Sequence, residues 1–169
     1  FCAGLMLKST AASGTDSFRG VEAAIGELIA MANTVRSFST AMVTDPEPGI
    51  GGTVVPRLQT AAANRLFMTN AWDRVRAIFE SVLAGAPSFT VSSVADLHAP
   101  DLQRVLNQYF RGTGLDAADR IKLFKLVWDA LYSEFAGRHA LYERNYAGNQ
   151  EQQRLDALTF ATVRGDTQR

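Results

Sequence analysis

Apolar residues recur along this chain at alternating steps of three and four, a period that commits most of its length to helices burying one face. The clearest run is Phe18, Val21, Ile25, Leu28, Ala32 and Val35, with Arg19, Glu22, Glu27 and Arg36 falling elsewhere. It predicts a long amphipathic helix. A second run, Leu66, Phe67, Ala71, Val75, Ile78 and Val82, predicts a helix with Pro56 in its first turn and its end near Leu83. In a third, Ile121, Phe124, Trp128, Leu131 and Phe135 are flanked by Leu123, Val127 and Ala130. That helix should be buried on two sides and continue, with a kink at Gly137, to Tyr146. Shorter helical patterns cover 5–12, 102–109 and a last segment carrying Leu155, Leu158 and Phe160.

The interruptions are equally legible. Ser13-Gly14 stops the first pattern, and Asp45-Pro-Glu-Pro-Gly-Ile-Gly-Gly52 mixes residues that fix φ with residues that free it, so it reads as a surface loop. Thr53-Val-Val55 can form a short extended strand behind it. Ala84-Gly-Ala-Pro-Ser-Phe-Thr-Val-Ser-Ser93 breaks the pattern again, and Gly112 and Gly114 close the short helix after Pro100. Asp116 with Asp119, and Asn149 with Gln152, are helix-start pairs. The expected fold is all-α, a bundle of long antiparallel helices in one domain spanning 1–169.

Composition excludes several functions. With 17 basic and 17 acidic residues in 169, the chain has no net field to gather phosphate, so no nucleic-acid partner is expected. No run approaches the roughly 18 apolar residues that would span a membrane. One cysteine, Cys2, and two histidines, His98 and His139, match no metal-site spacing, so no metal is expected, and a reducing, cytoplasmic setting is. Phe1 opens in mid-pattern without an initiator Met, a basic region or a cleavage site, so the expectation is a piece of a longer protein.

Local motifs for chemistry are sparse. There is no Gly-x-Ser-x-Gly elbow, and Gly49-Ile-Gly51-Gly52 lacks the Lys-Ser/Thr of a phosphate loop. A lone helical histidine such as His139 is ordinarily a surface residue, and Glu134, Arg138, Glu143 and Arg144 can form a solvated face of ion pairs.

The stretch Glu134-Phe-Ala-Gly-Arg-His-Ala-Leu-Tyr-Glu-Arg-Asn-Tyr-Ala-Gly-Asn149 nevertheless resembles the carboxy-terminal signature of the 4-hydroxyphenylacetate 3-hydroxylase family. These are reduced-flavin-dependent phenol monooxygenases. Leu123-Phe-Lys-Leu-Val-Trp-Asp129 and Phe18-Arg-Gly-Val-Glu-Ala-Ala-Ile-Gly-Glu-Leu-Ile29 are similar to other helices of that family, so the resemblance covers most of the chain. Ala136 departs from it, standing where the first of two glycines is expected.

The resemblance implies the carboxy-terminal domain of an acyl-CoA dehydrogenase type of fold, packed in a homotetramer. It further implies FAD in its reduced form, supplied by a separate flavin reductase, and hydroxylation of a phenolic substrate, free or carrier-protein-tethered, ortho to its hydroxyl. The adenosine diphosphate portion of the flavin would reach this domain. Arg138 beside Gly137 would grip the diphosphate, Ser133 and His139 would add hydrogen bonds, and Phe135 would supply an apolar wall. Gly85, in a turn resembling one that nears an adjacent subunit's cofactor in related folds, is a further contact. No catalytic acid or base is expected in this segment. Two alternatives remain: a domain of a 4-hydroxybutyryl-CoA dehydratase-like lyase, and a helical module serving assembly alone.

Overall fold

In a computed structural model, residues 1–146 and 148–167 are described, and they form eight α-helices, one two-stranded hairpin and a 3-10 turn, Ile50–Gly52, between its strands. In chain order these are α1 (Cys2–Ser13), α2 (Arg19–Thr44), β1 (Glu47–Pro48), β2 (Val54–Val55), α3 (Leu58–Leu83), α4 (Val94–His98), α5 (Pro100–Tyr109), α6 (Ala117–Leu131), α7 (Glu134–Asn145) and α8 (Gln150–Val163). The all-α expectation holds. Among the described residues no helix is long and apolar enough to cross a membrane.

The chain divides into two compact units, one of residues 1–29 and 75–138, the other of residues 30–74 and 139–169. In the first, α1, α2, α3 and α6 contribute a core in which Met6, Ile78, Phe79, Phe124 and Val127 lose essentially all contact with solvent. Ile25, Leu28, Leu83 and Leu131 are buried with them, as the three-and-four spacing requires. A satellite cluster joins Leu106 of α5 to Ala117 and Ile121 of α6, covered by Val91, Leu97 and Phe110.

In the second unit Phe38 and Phe67 meet at 5.8 Å between ring centroids. The Pro/Gly loop is more ordered than a plain surface turn. Glu47 and Pro48 pair antiparallel with Val55 and Val54, and the Glu47 carboxylate gathers Arg57, Arg164 and the Leu58 amide. That pairing keeps 54–55 extended and explains why α3 begins at Leu58, with Pro56 ahead of the helix rather than in its first turn.

Two expectations about α6 and α7 are corrected. The helix does not run on to a kink at Gly137. It ends at Leu131, the Tyr132 and Ser133 amides both turn back to the Trp128 carbonyl at 2.9 Å, and a new helix starts at Glu134. Gly137 sits inside that helix with its amide bonded to the Ser133 carbonyl at 3.0 Å. Because the helix breaks at Tyr132, the apolar stripe does not extend through Phe135, which is 75% exposed; within α6, Val127 is fully buried as expected, whereas Trp128 is 37% exposed. Likewise Phe18 lies ahead of α2 and is exposed, as are Leu155 and Leu158 of α8.

Candidate functional site

The start of α7 is built by Ser133. Its hydroxyl donates to the Asp129 carbonyl at 2.9 Å and accepts from the Ala136 amide at 3.1 Å, joining the end of α6 to the first turn of α7. This is the work of a helix cap, a natural use of serine where amides lack helical partners. Ala136 is the residue of this turn that is buried, which orients the turn against the core and leaves Phe135 and Arg138 outward.

Arg138 has a side chain 81% exposed and contacts Glu134, one turn earlier, at 3.6 Å. With both partners in solvent the pair contributes a few tenths of a kcal/mol, so its guanidinium is cheaply redirected to another anion. Beside it, a Cβ added at Gly137 would meet no heavy atom within 4 Å. The helix surface at Gly137 is thus open, while its amide is used within the helix.

His139 is exposed and lies 4.0 Å from Glu143 along the same helix. Gly85 lies elsewhere, in the turn after α3, where its carbonyl accepts from the Ser88 hydroxyl at 2.7 Å and from the Phe89 amide at 3.2 Å. The Phe89 ring would sit 2.7 Å from a Cβ at position 85, so a side chain there would displace that exposed ring. Ser133, Phe135, Gly137, Arg138 and His139 thus follow one another on α7 and its cap, while Gly85 is engaged within its own turn.

Three features were outside the reach of local patterns. Tyr132, at the break before α7, lies under Arg76, whose guanidinium carbon is 5.8 Å from the ring centroid, and beside Trp128. Burial first, and the neighbouring Glu80 charge second, push its phenol up to about 12, with Arg76 pulling the other way. Arg144, expected in a solvated face, instead forms a two-pronged pair with Asp73 of α3 at 2.9 and 3.1 Å. Gln153 is buried in α8, where its amide donates to the Arg144 and Gly148 carbonyls and its oxygen accepts from Thr69. Among the described residues no group of three or more histidine, cysteine or carboxylate side chains is placed to hold a metal.

Comparison with known proteins decides the family. The model of the family described as 4-hydroxyphenylacetate 3-hydroxylase C terminal matches residues 1–169. The chain belongs to this family.

Among curated relatives, it is 49% identical over 162 residues to the pyoverdin chromophore biosynthetic protein PvcC of Pseudomonas aeruginosa, covering 96% of this chain and 32% of that protein. It is 39% identical over 166 residues to the 4-hydroxyphenylacetate 3-monooxygenase oxygenase component of the same organism, covering 98% and 32%. The chain spans about a third of the length of these relatives. A crystal structure of the oxygenase component of 4-hydroxyphenylacetate 3-monooxygenase, complexed with FAD and 4-hydroxyphenylacetate, superposes with a TM-score of 0.87 at 26% identity, covering 94% of this chain and 33% of that one. The fold is thus that of the 4-hydroxyphenylacetate 3-hydroxylase carboxy-terminal domain, acyl-CoA dehydrogenase-like. An archaeal 4-hydroxybutyryl-CoA dehydratase from N. maritimus shares the fold alone, with a TM-score of 0.83 at 16% identity over 99% of this chain and 36% of that one.

Proposed function

We propose that this chain is a single carboxy-terminal domain of the oxygenase component of a two-component monooxygenase, one that hydroxylates a phenol ortho to its hydroxyl. The phenol arrives free or tethered to a carrier protein, and reduced FAD comes from a separate flavin reductase. The family match along the whole chain supports this reading, and in this proposal the catalytic side chains lie outside the present segment. Assembly as a homotetramer in the cytoplasm belongs to the same proposal.

The domain's share of the work is to hold the diphosphate end of the flavin at the start of α7. The observation that carries this is the Arg138 guanidinium, exposed beside the open Gly137 backbone and restrained by one weak surface pair. A planar fork of N–H donors fits phosphate oxygens in pairs, and the absence of a side chain at 137 lets the anion approach the helix surface. Ser133 fits a supporting place behind Arg138, since its one O–H is donated to the Asp129 carbonyl and its oxygen accepts from the Ala136 amide, so it fixes the turn rather than donating to the phosphate. Phe135, three-quarters exposed, offers an apolar wall to the ribose or adenine. His139, next on the helix, can donate to a phosphate oxygen, and Gly85 offers backbone contact from another subunit. When bound, the reduced flavin supplies the electrons that activate dioxygen, and the protein positions and shields it.

The test is FAD titration of the full-length protein and its Arg138→Ala and Arg138→Lys variants, with thermal melts alongside. Loss of a charge-assisted hydrogen-bonding pair, about 1.5–3 kcal/mol, predicts a Kd raised about ten- to hundredfold for alanine. Lysine should recover part of it, and melting should be unchanged because Arg138 is solvated. Unaltered FAD affinity in Arg138→Ala removes this residue from the site.

A further inference from the structure

The loop between α5 and α6 holds a second arrangement of guanidinium groups, apart from α7. Gly112 donates its amide to the Leu115 carbonyl at 3.0 Å, and Thr113 donates to the Ala12 carbonyl at 2.9 Å, so the loop is pinned to the end of α1. Between loop and helix lies an open cavity of about 650 Å³, lined by Arg111, Thr113, Gly114, Asp116 and Arg120 together with Ser13 of α1.

Its charges do not cancel. Asp116 is the one carboxylate in the lining, and its Oδ1 accepts from the Asp119 amide at 2.8 Å as the cap of α6. Arg120 is held in place by the Phe124 ring, 4.7 Å from its guanidinium carbon, and donates through one nitrogen to the Phe110 carbonyl at 3.4 Å. Among the described residues it forms no ion pair within 4 Å. Arg111 is exposed and forms no ion pair within the described residues.

We infer that this cavity binds a phosphate-bearing anion through Arg111 and Arg120, with the Ser13 and Thr113 hydroxyls completing the donor set. The chemistry of the lining selects this class. No aromatic ring and only one large apolar side chain, Leu115, face the cavity, so it offers little to a phenol. Two guanidiniums, one already immobilised by packing, match an oxyanion that accepts paired hydrogen bonds. The pinned loop fixes the backbone that carries Arg111 and Thr113, so the cost of ordering falls mainly on the Arg111 side chain.

The experiment is isothermal titration of the full-length protein with pyrophosphate and, separately, with inorganic phosphate, in the presence of excess FAD so that flavin subsites are filled. Saturable binding is expected, with Kd raised about tenfold or more by Arg111→Gln and by Arg120→Lys, which keeps charge but loses the fork. Arg138→Ala should leave it unchanged, which separates this inference from the flavin reading. Arg104→Gln, an exposed charge outside the cavity, serves as the control for general attraction. Binding that does not saturate, or that weakens equally in Arg104→Gln and Arg111→Gln, overturns the inference. Should Arg120→Lys fail to fold, the exposed Arg111 decides the matter. Comparing the two probes separates a site for a single phosphate from one for a diphosphate.

Discussion

Replacing Gln153 by leucine should destabilise the protein more than any surface substitution in α8. The side chain is 4% exposed and makes three hydrogen bonds, to the Thr69 hydroxyl at 3.2 Å, the Arg144 carbonyl at 3.0 Å and the Gly148 carbonyl at 3.1 Å. Leucine fills a similar volume, so little cavity is created, and the cost falls on the polar groups left behind. Thr69 retains its bond to the Arg65 carbonyl, whereas the Arg144 and Gly148 carbonyls each lose the donor that Gln153 supplied. At about 1 kcal/mol for each half-buried carbonyl, and somewhat less for the threonine contact, the loss is about 2.5 kcal/mol. For a chain of this size that is a fall in Tm on the order of 7 °C. Urea denaturation and calorimetry of Gln153→Leu measure it directly. Adding Thr69→Val should cost less than the sum of the two changes, because one bond is shared. A loss below about 1 kcal/mol would refute the reasoning, since it would mean that water replaces the amide at no penalty.

Two further outcomes follow from the geometry. At Gly112, a Cβ would lie 2.6 Å from the Ala12 carbonyl oxygen, a backbone atom that cannot swing aside, so Gly112→Ala should cost about 2–3 kcal/mol in urea unfolding; an unchanged midpoint would contradict the close approach of loop and helix. Spectrophotometric titration should show one of the four tyrosines ionising at about 12, and Tyr132→Phe should remove that step. Because the fold favours the neutral phenol, stability should be intact below the ordinary tyrosine pKa of about 10 and fall as pH rises towards 12. A flat profile across that window in the wild type would contradict the buried setting of Tyr132.

How far the sequence reaches depends on how local the physics is. Asp116 and Asn149 cap α6 and α8 through amides three residues onward, and such i to i+3 chemistry is readable from the chain. The buried positions Ile25, Leu28, Ile78 and Phe124 follow from helical period. The Tyr132–Ser133 break carries no Pro or Gly to announce it, whereas Gly137 is carried inside α7, since a helix tolerates an interior glycine at about 1 kcal/mol. Reading the kink into Gly137 placed Phe135 in a stripe that the break at Tyr132 ends. Arg144 meets Asp73 across 71 residues, and Gln153 meets Thr69 across 84, so neither partner was visible in a pattern of neighbours. The family signature of residues 134–149 was legible because it is a string of chemically unusual choices. The cavity around Arg111 was not, because it depends on where the loop after α5 lands on α1.

The most direct test of the account is a structure of the full-length protein with FAD bound. The account predicts the diphosphate within hydrogen-bonding distance of the Arg138 guanidinium, lying over the Gly137 backbone with Phe135 against the ribose or adenine. A diphosphate lodged elsewhere, with Arg138 still paired to Glu134 and facing water, would contradict it.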